Sequence, residues 1–170
     1  MGLDMYLYAV KEDYHSHYTD PIDPDEIPDH IHALATKTDI SVTNKTSYKI
    51  GYWRKANAVH KFFIDNCADG VDDCRSVYVS IETIKELKDK CNKILVAQLT
   101  KDKEHFEKIA EEELPCKSGF FFGSTEYGDW YVDDIRYTAE LCDSVLEWYE
   151  NLESHGENPD DWSIEYCASW

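Results

Sequence analysis

The stretch SYKIGYWRKANAVHKFFIDNC, Ser47 to Cys67, changes its hydrophobic period part-way along. Its first part, SYKIGYW, reads as a strand that ends at Gly51. From Trp53 onward, Trp53, Ala56, His60, Phe63, Ile64 and Cys67 recur at helical spacing and predict one buried stripe. Arg54, Asn57 and Lys61 fall three and four apart, on a neighbouring face of the same helix. A strand that runs almost directly into a helix places its cations at the junction.

The flanking segments repeat both patterns. Residues 3–10, LDMYLYAV, are apolar and aromatic and suit a strand. The tail WSIEYCASW reads as a last strand and is expected to pair with the first, because short apolar end segments need partners for their backbone groups. VYVS reads as a short extended piece, with Ser80 as the N-cap of the next helix. In that helix Ile81, Ile84, Leu87, Cys91, Ile94, Leu95 and Leu99 line one side, while Glu86–Lys90 and Asp89–Lys93 pair on exposed faces. KDKEHFEKIAEEE predicts a surface helix that Pro115 stops. A long amphipathic helix is expected from about Trp130 to Glu153, followed by a polar connector over residues 151–161. DPIDPDEIPD, Asp20 to Asp29, carries three prolines among acids and reads as a surface loop. The expected fold is α+β: a small, mostly antiparallel sheet covered by three or four helices in a single domain over residues 1–170.

Composition narrows the partners. The chain has 35 acidic against 17 basic residues, a net charge of −18, which opposes direct binding to nucleic acid or to an anionic membrane. An acidic surface serves solubility, or it mimics a nucleic-acid backbone and occupies another protein's basic groove. MGLDMYLYAV lacks the basic start and apolar run of a signal peptide, and Tyr6 stands where a myristoylation signal has Ser or Thr. A cytoplasmic location is the expectation, with the six widely spaced cysteines as reduced, mostly buried thiols.

Three segments carry candidate ligand contacts. In GFFFGSTEYGDWY, read as extended, Phe120 and Phe122 point to one side and Phe121 to the other. Ser124 and Thr125 offer hydroxyls and N–H groups at a turn next to Glu126, and Tyr127, Trp130 and Tyr131 supply stacking faces. A core strand followed by a glycine turn and a helix beginning at Asp129 is the competing reading. In YWRKAN, Tyr52 and Trp53 precede Arg54 and Lys55 at a helix N-terminus, where backbone dipoles favour anions. Arg54 is one of only three arginines, and a guanidinium grips phosphate bidentately. Asn57 and His60 follow, His60 on the buried stripe, which favours a hydrogen-bonded core histidine over a catalytic base. In GVDDC, Asp72 and Asp73 could hold ribose hydroxyls or a divalent ion; capping a helix or plain solvation is the competing reading. The pairs His15/His17 and His30/His32 invite a zinc reading, but no third ligand accompanies them at fixed spacing. Serine-hydrolase, P-loop and GxGxxG signatures are absent, so no catalytic residue, metal or cofactor is expected.

These motifs resemble a family of small acidic proteins from phage and bacterial genomes. Its members begin MGLDMYL, continue YWRKAN-x-x-H and a DDC turn, and carry LP-x-x-SGFFFGSTEY before the last helix. The resemblance covers Met1–Leu7, Tyr52–His60, Val71–Cys74 and Leu114–Tyr127. Proteins of this type are similar in character to immune-evasion sponges, which sequester nucleotide second messengers of bacterial defence. The resemblance implies a small nucleotide-like ligand, such as a cyclic ADP-ribose variant or a cyclic oligonucleotide. Rings from Tyr52–Trp53 and Phe120–Trp130 would stack the base, Arg54 and Lys55 would meet phosphate, and two copies could enclose the ligand in a homo-oligomer. The alternatives are an acidic decoy that binds a host protein and an enzyme that degrades the signal, with His60 or the paired histidines as acid and base.

Overall fold

A computed structural model describes residues 2–15 and 42–170. The Asp20–Asp29 loop, His17, His30 and His32 lie outside the described residues, as does the side chain of His15. Four strands form one antiparallel sheet: β1 (Asp4–His15), β2 (Val42–Arg54), β3 (Val77–Val79) and β4 (Trp162–Ser169), in the order β2-β1-β4-β3. The four helices are α1 (Asn57–Cys67), α2 (Ile81–Leu99), α3 (Lys103–Glu113) and α4 (Asp129–Glu150). The α+β expectation holds, and so does the pairing of tail with first strand: Leu7 faces Tyr166 and Ala9 faces Ile164 across β1 and β4.

The alternation of the strands divides the sheet into two unlike faces. Met5, Leu7, Trp53, Ile164, Tyr166 and Ala168 point inward and join Phe63, Leu87, Ile94, Ile135 and Val145 of the helices in one hydrophobic core. Phe63 stacks on Tyr166 with ring centroids 4.3 Å apart. The opposite face carries Tyr6, Tyr8, Tyr52 and Tyr78, the last two well exposed. No helix among the described residues is long and apolar enough to cross a membrane.

Helix α2 follows its sequence pattern closely. Ser80 caps it, its Oγ accepting the Thr83 N–H at 3.0 Å, and Ile84, Leu87, Cys91 and Ile94 are buried. Leu99 is not: it stands at the last position of the helix and is 77% exposed. Lys90 reaches Glu86 at 3.7 Å, whereas Lys93 turns to Glu113 of α3 at 2.8 Å in place of the expected Asp89. The six cysteines are free thiols, but only Cys91 and Cys142 are fully buried; Cys67, Cys116 and Cys167 are half-buried and Cys74 is exposed.

Two sequence readings are corrected by the backbone. Strand β2 does not stop at Gly51 but runs to Arg54, so Trp53 is a strand residue and the helix begins at Asn57. Gly51 lies inside the strand because a Cβ there would come within 2.5 Å of Leu141 on α4. The triple-Phe segment is a turn, closed by the Phe122 N–H donating to the Gly119 carbonyl at 3.1 Å. Its side chains therefore diverge: Phe122 is buried, Phe121 half-buried and Phe120 95% exposed.

Candidate functional site

The β2–α1 junction is an abrupt one. Lys55 adopts a left-handed conformation with φ of 63°, one of four non-glycine residues to do so among those described. Such a backbone is disfavoured for a residue with a Cβ, and where it occurs it marks a place that the surroundings hold fixed. The Lys55 N–H donates to the Leu3 carbonyl, and its own carbonyl accepts the Asn57 N–H, both at 2.8 Å. The Lys55 stem runs past Gly123, where φ is 87° and any Cβ would meet Lys55 Cβ at 3.1 Å. That glycine lets the loop before α4 close against the junction.

The space between them is a cleft of about 560 Å³. Arg54, Lys55, Ala56, Asn57, Ala58 and Val59 form one wall. Cys116, Gly123, Ser124 and Glu126 come from the loop, and Trp130, Tyr131, Asp134 and Ile135 from the start of α4. The first wall has unusual electrostatics for this chain, since no Asp or Glu occurs from residue 42 to residue 64. Arg75 pairs with Asp73 at 3.7 Å and Arg136 with Asp133 at 2.8 Å, whereas Arg54 makes no ion pair among the described residues. Helix α1 has no side-chain cap and no acid in its first turn. The N–H groups of Ala58 and Val59 have no acceptor among the described residues, so two helix-start donors are left for something else. Across the cleft stands Trp130, 86% exposed and stacked on no described ring.

The second wall is acidic. Asp134 is half-buried, and burial together with the neighbouring Asp133 pushes its carboxyl up to about 6. The half-buried Cys116 thiol is likewise pushed up to about 11, first by burial and then by Asp134, which leaves it un-ionised at neutral pH. Ser124 Oγ accepts the Glu126 N–H at 3.1 Å and keeps its own proton available for donation.

Of the residues that the sequence singled out, Arg54, Lys55, Asn57, Ser124, Glu126 and Trp130 meet at this cleft. Asn57 lines it, yet its amide is already fully engaged. Nδ2 donates to the carbonyls of Phe122 at 3.0 Å and Ser124 at 2.7 Å, and Oδ1 accepts the Lys117 N–H at 3.0 Å. Asn57 is thus a clamp that holds the loop to α1.

The other candidates lie elsewhere. Tyr52 is on the open face of the sheet, its hydroxyl donating to Asp4. Trp53 is in the core, its indole N–H donating to Thr138 Oγ1 at 2.9 Å. Tyr127 packs edge-on against Tyr131 with centroids 5.0 Å apart, and Thr125 and Phe120 are exposed but do not line the cleft. Asp73 is on the surface, accepting the Arg75 N–H at 3.2 Å.

His60, Asp72 and Phe122 belong to a separate, internal network. The His60 ring is fully buried, with Nδ1 at 2.7 Å from the Tyr166 hydroxyl and Nε2 at 3.0 Å from Asp72 Oδ2. A carboxylate can only accept, so Nε2 carries the proton and Nδ1 accepts from Tyr166. Lys117 Nζ donates to the same Asp72 oxygen at 3.1 Å, and the Trp170 indole donates to the other at 3.2 Å. Phe122 packs edge-on against the imidazole at 5.2 Å. Burial pulls His60 below its ordinary value even though Asp72 opposes the shift. Burial alone would raise Asp72, but the hydrogen bonds from His60 and Lys117 outweigh it and hold the carboxyl low. A neutral histidine therefore meets a charged carboxylate, and the five side chains tie the tail, the loop and the 70–74 turn to the core.

Sequence reading passed over Cys116 and did not place Asp134 at a ligand site; Tyr131, expected as a stacking face, lines the cleft but is buried, its hydroxyl donating to the Leu114 carbonyl at 2.9 Å. Asp134 had a signal, for it lies one helical turn beyond Trp130 and so shares its face. The chain matches no protein-family model, no curated protein and no solved structure.

Proposed function

We propose that the chain is a binding protein that sequesters a small nucleotide signal in the cleft between α1, α4 and the loop before α4. The reading rests on one coincidence. A guanidinium with no ion pair and two helix-start N–H groups with no acceptor among the described residues line, together with an exposed indole, one space of about 560 Å³. That volume is in the range of small-molecule sites. A phosphate seated at the start of α1 would accept from Ala58 and Val59 N–H and from Arg54, with Lys55 adding charge. A base would stack on Trp130, and the Ser124 hydroxyl with the Glu126 and Asp134 carboxylates would meet ribose hydroxyls.

This arrangement reassigns three roles. Trp130 takes over the stacking expected of Tyr52, Trp53, Phe120 and Phe122. Glu126 and Asp134 replace Asp72 and Asp73, and Asn57 shapes the cleft without touching the ligand. The membership of a phage family and the enclosure of the ligand by two copies remain part of the proposal, supported by the motif resemblance and by exposed Phe120 and Trp130.

A ligand that binds only the folded state raises the melting temperature by mass action, about 2.7 kcal/mol at a hundredfold excess over Kd. A thermal-shift screen against cyclic di- and trinucleotides and ADP-ribose isomers is expected to give a clear rise with at least one of them. Arg54→Ala should lower its affinity about a hundredfold, the scale of a charge-assisted contact. Denaturing the complex should return the ligand intact; recovery of a cleaved product would instead assign the cleft to an enzyme. No shift with any of these compounds overturns the reading.

A further inference from the structure

The cleft is built from two unlike halves, and the difference bears on ligand charge. Only one of its two helix starts is open to an anion. At α1 the Ala58 and Val59 N–H groups have no acceptor among the described residues and no acid stands in the first turn. At α4 the first turn already holds Asp129, and Asp134 follows one turn later on the cleft wall. Those carboxylates complement the α4 dipole and repel a second anion. The lining contains two cations, Arg54 and Lys55, facing two carboxylates, Glu126 and Asp134. Beyond the mouth lies a chain of net charge −18. Arg54 and Lys55 are adjacent at one end, so they can neutralise one phosphate but cannot follow a chain of phosphates across the cleft.

Resting on the nucleotide reading above, we infer that the cleft selects nucleotides whose phosphate is a singly charged diester, cyclic or bridging, and excludes polyphosphates. A diester carries one negative charge, which the α1 start and Arg54 offset. A terminal polyphosphate brings additional charges that must approach Glu126 and Asp134 in a partly desolvated space, where like charges interact far more strongly than in water. The same two carboxylates remain useful to a diester ligand as acceptors for its free ribose hydroxyls. Specificity would thus come from a repulsive element as much as from an attractive one.

The test is a calorimetric titration at pH 7.5 and fixed ionic strength with cyclic AMP, the dinucleoside monophosphate ApA (each with one phosphodiester), ADP and magnesium-free ATP. At that pH a carboxyl with a value of about 6 is ionised. A cyclic diester is expected to bind tightest, with affinity falling roughly tenfold or more for ADP and again for ATP. Glu126→Gln should narrow the gap between cyclic diester and ATP at least several-fold. Because Glu126 is exposed, that substitution leaves the fold intact, and Asp134→Asn serves as the second variant. ATP binding as tightly as the diesters overturns this inference while leaving the nucleotide reading standing. An unchanged gap in both variants also overturns it. Absence of binding by all four, in a protein that also fails the wider nucleotide screen, removes both.

Discussion

Asp72→Ala is expected to lower stability by about 3 kcal/mol, the scale for stranding a buried donor, His60 Nε2, together with the loss of a charge-assisted bond from Lys117. The reason is the number of donors that Asp72 satisfies. His60 Nε2, Lys117 Nζ and the Trp170 indole all lose their acceptor at once, and His60 has no solvent to turn to. Changing the tautomer does not help, because Tyr166 already donates to the other ring nitrogen. Asp72→Asn keeps an acceptor for His60 and should cost only about 1 kcal/mol. Urea denaturation of both variants at pH 7 distinguishes these outcomes, and a loss below 1 kcal/mol for the alanine would show that the network carries little stability.

The pH dependence has a definite sign. The Asp72 carboxyl is held below its ordinary value of 3.8, so its stabilisation is present above that value and lost as pH falls through the lower folded one. The gap between wild type and Asp72→Ala should therefore be full at pH 7 and close below about pH 4. His60, also lowered, acts in a separate window: its contribution is intact above about 6.5 and declines as pH falls, because the unfolded chain takes up the proton first.

The second large effect belongs to Asn57. Asn57→Ala removes three hydrogen bonds to backbone groups of the loop, two accepted by carbonyls and one donated by the Lys117 N–H. At about 1 kcal/mol each, with desolvation of the abandoned groups added, the loss should reach about 3–4 kcal/mol. Asn57→Asp is nearly isosteric but should be no better at pH 7, since a carboxylate faces two carbonyl oxygens and is buried as a charge. The functional consequence separates a clamp from a contact. Ligand affinity should fall together with stability in both Asn57 variants, because the Gly123–Ser124 wall loosens. Arg54→Ala, which removes an exposed side chain with no ion pair among the described residues, should reduce affinity while leaving stability within about 0.5 kcal/mol. Loss of stability in Arg54→Ala, or unchanged affinity in Asn57→Ala measured well below its melting temperature, contradicts this division.

The elements that hydrophobic period could define were legible in the sequence. Helix α2, its Ser80 cap, the α4 stripe and the pairing of the tail with β1 all follow from where apolar residues recur. The β2–α1 boundary was misplaced because Trp53 satisfies both periods: it is inward-facing in the strand and also three residues before Ala56. Nothing local shows that Gly51 lies under Leu141 in mid-strand. The three phenylalanines misled for a related reason. An apolar run between glycines resembles a core strand, but among the described residues its backbone meets the sheet end only through the Leu3 N–H donating to the Phe121 carbonyl, and the segment closes as a turn. The cleft was legible where chemistry is scarce, for Arg54 and Trp130 both line it. It was not legible where identity depends on tertiary contact: Asn57 and Asp72 are ordinary polar residues until the loop and the tail fold over them.

The proposed anion seat is the start of α1, where the Ala58 and Val59 N–H groups have no acceptor among the described residues. Backbone amide NMR of the wild-type protein titrated with a cyclic diester nucleotide tests it most directly. The account predicts saturable downfield movement of the Ala58 and Val59 amides, accompanied by the Trp130 indole and the Ser124–Glu126 loop, and its loss in Arg54→Ala. Saturable binding that leaves Ala58 and Val59 unmoved and shifts the open tyrosine face instead would contradict it.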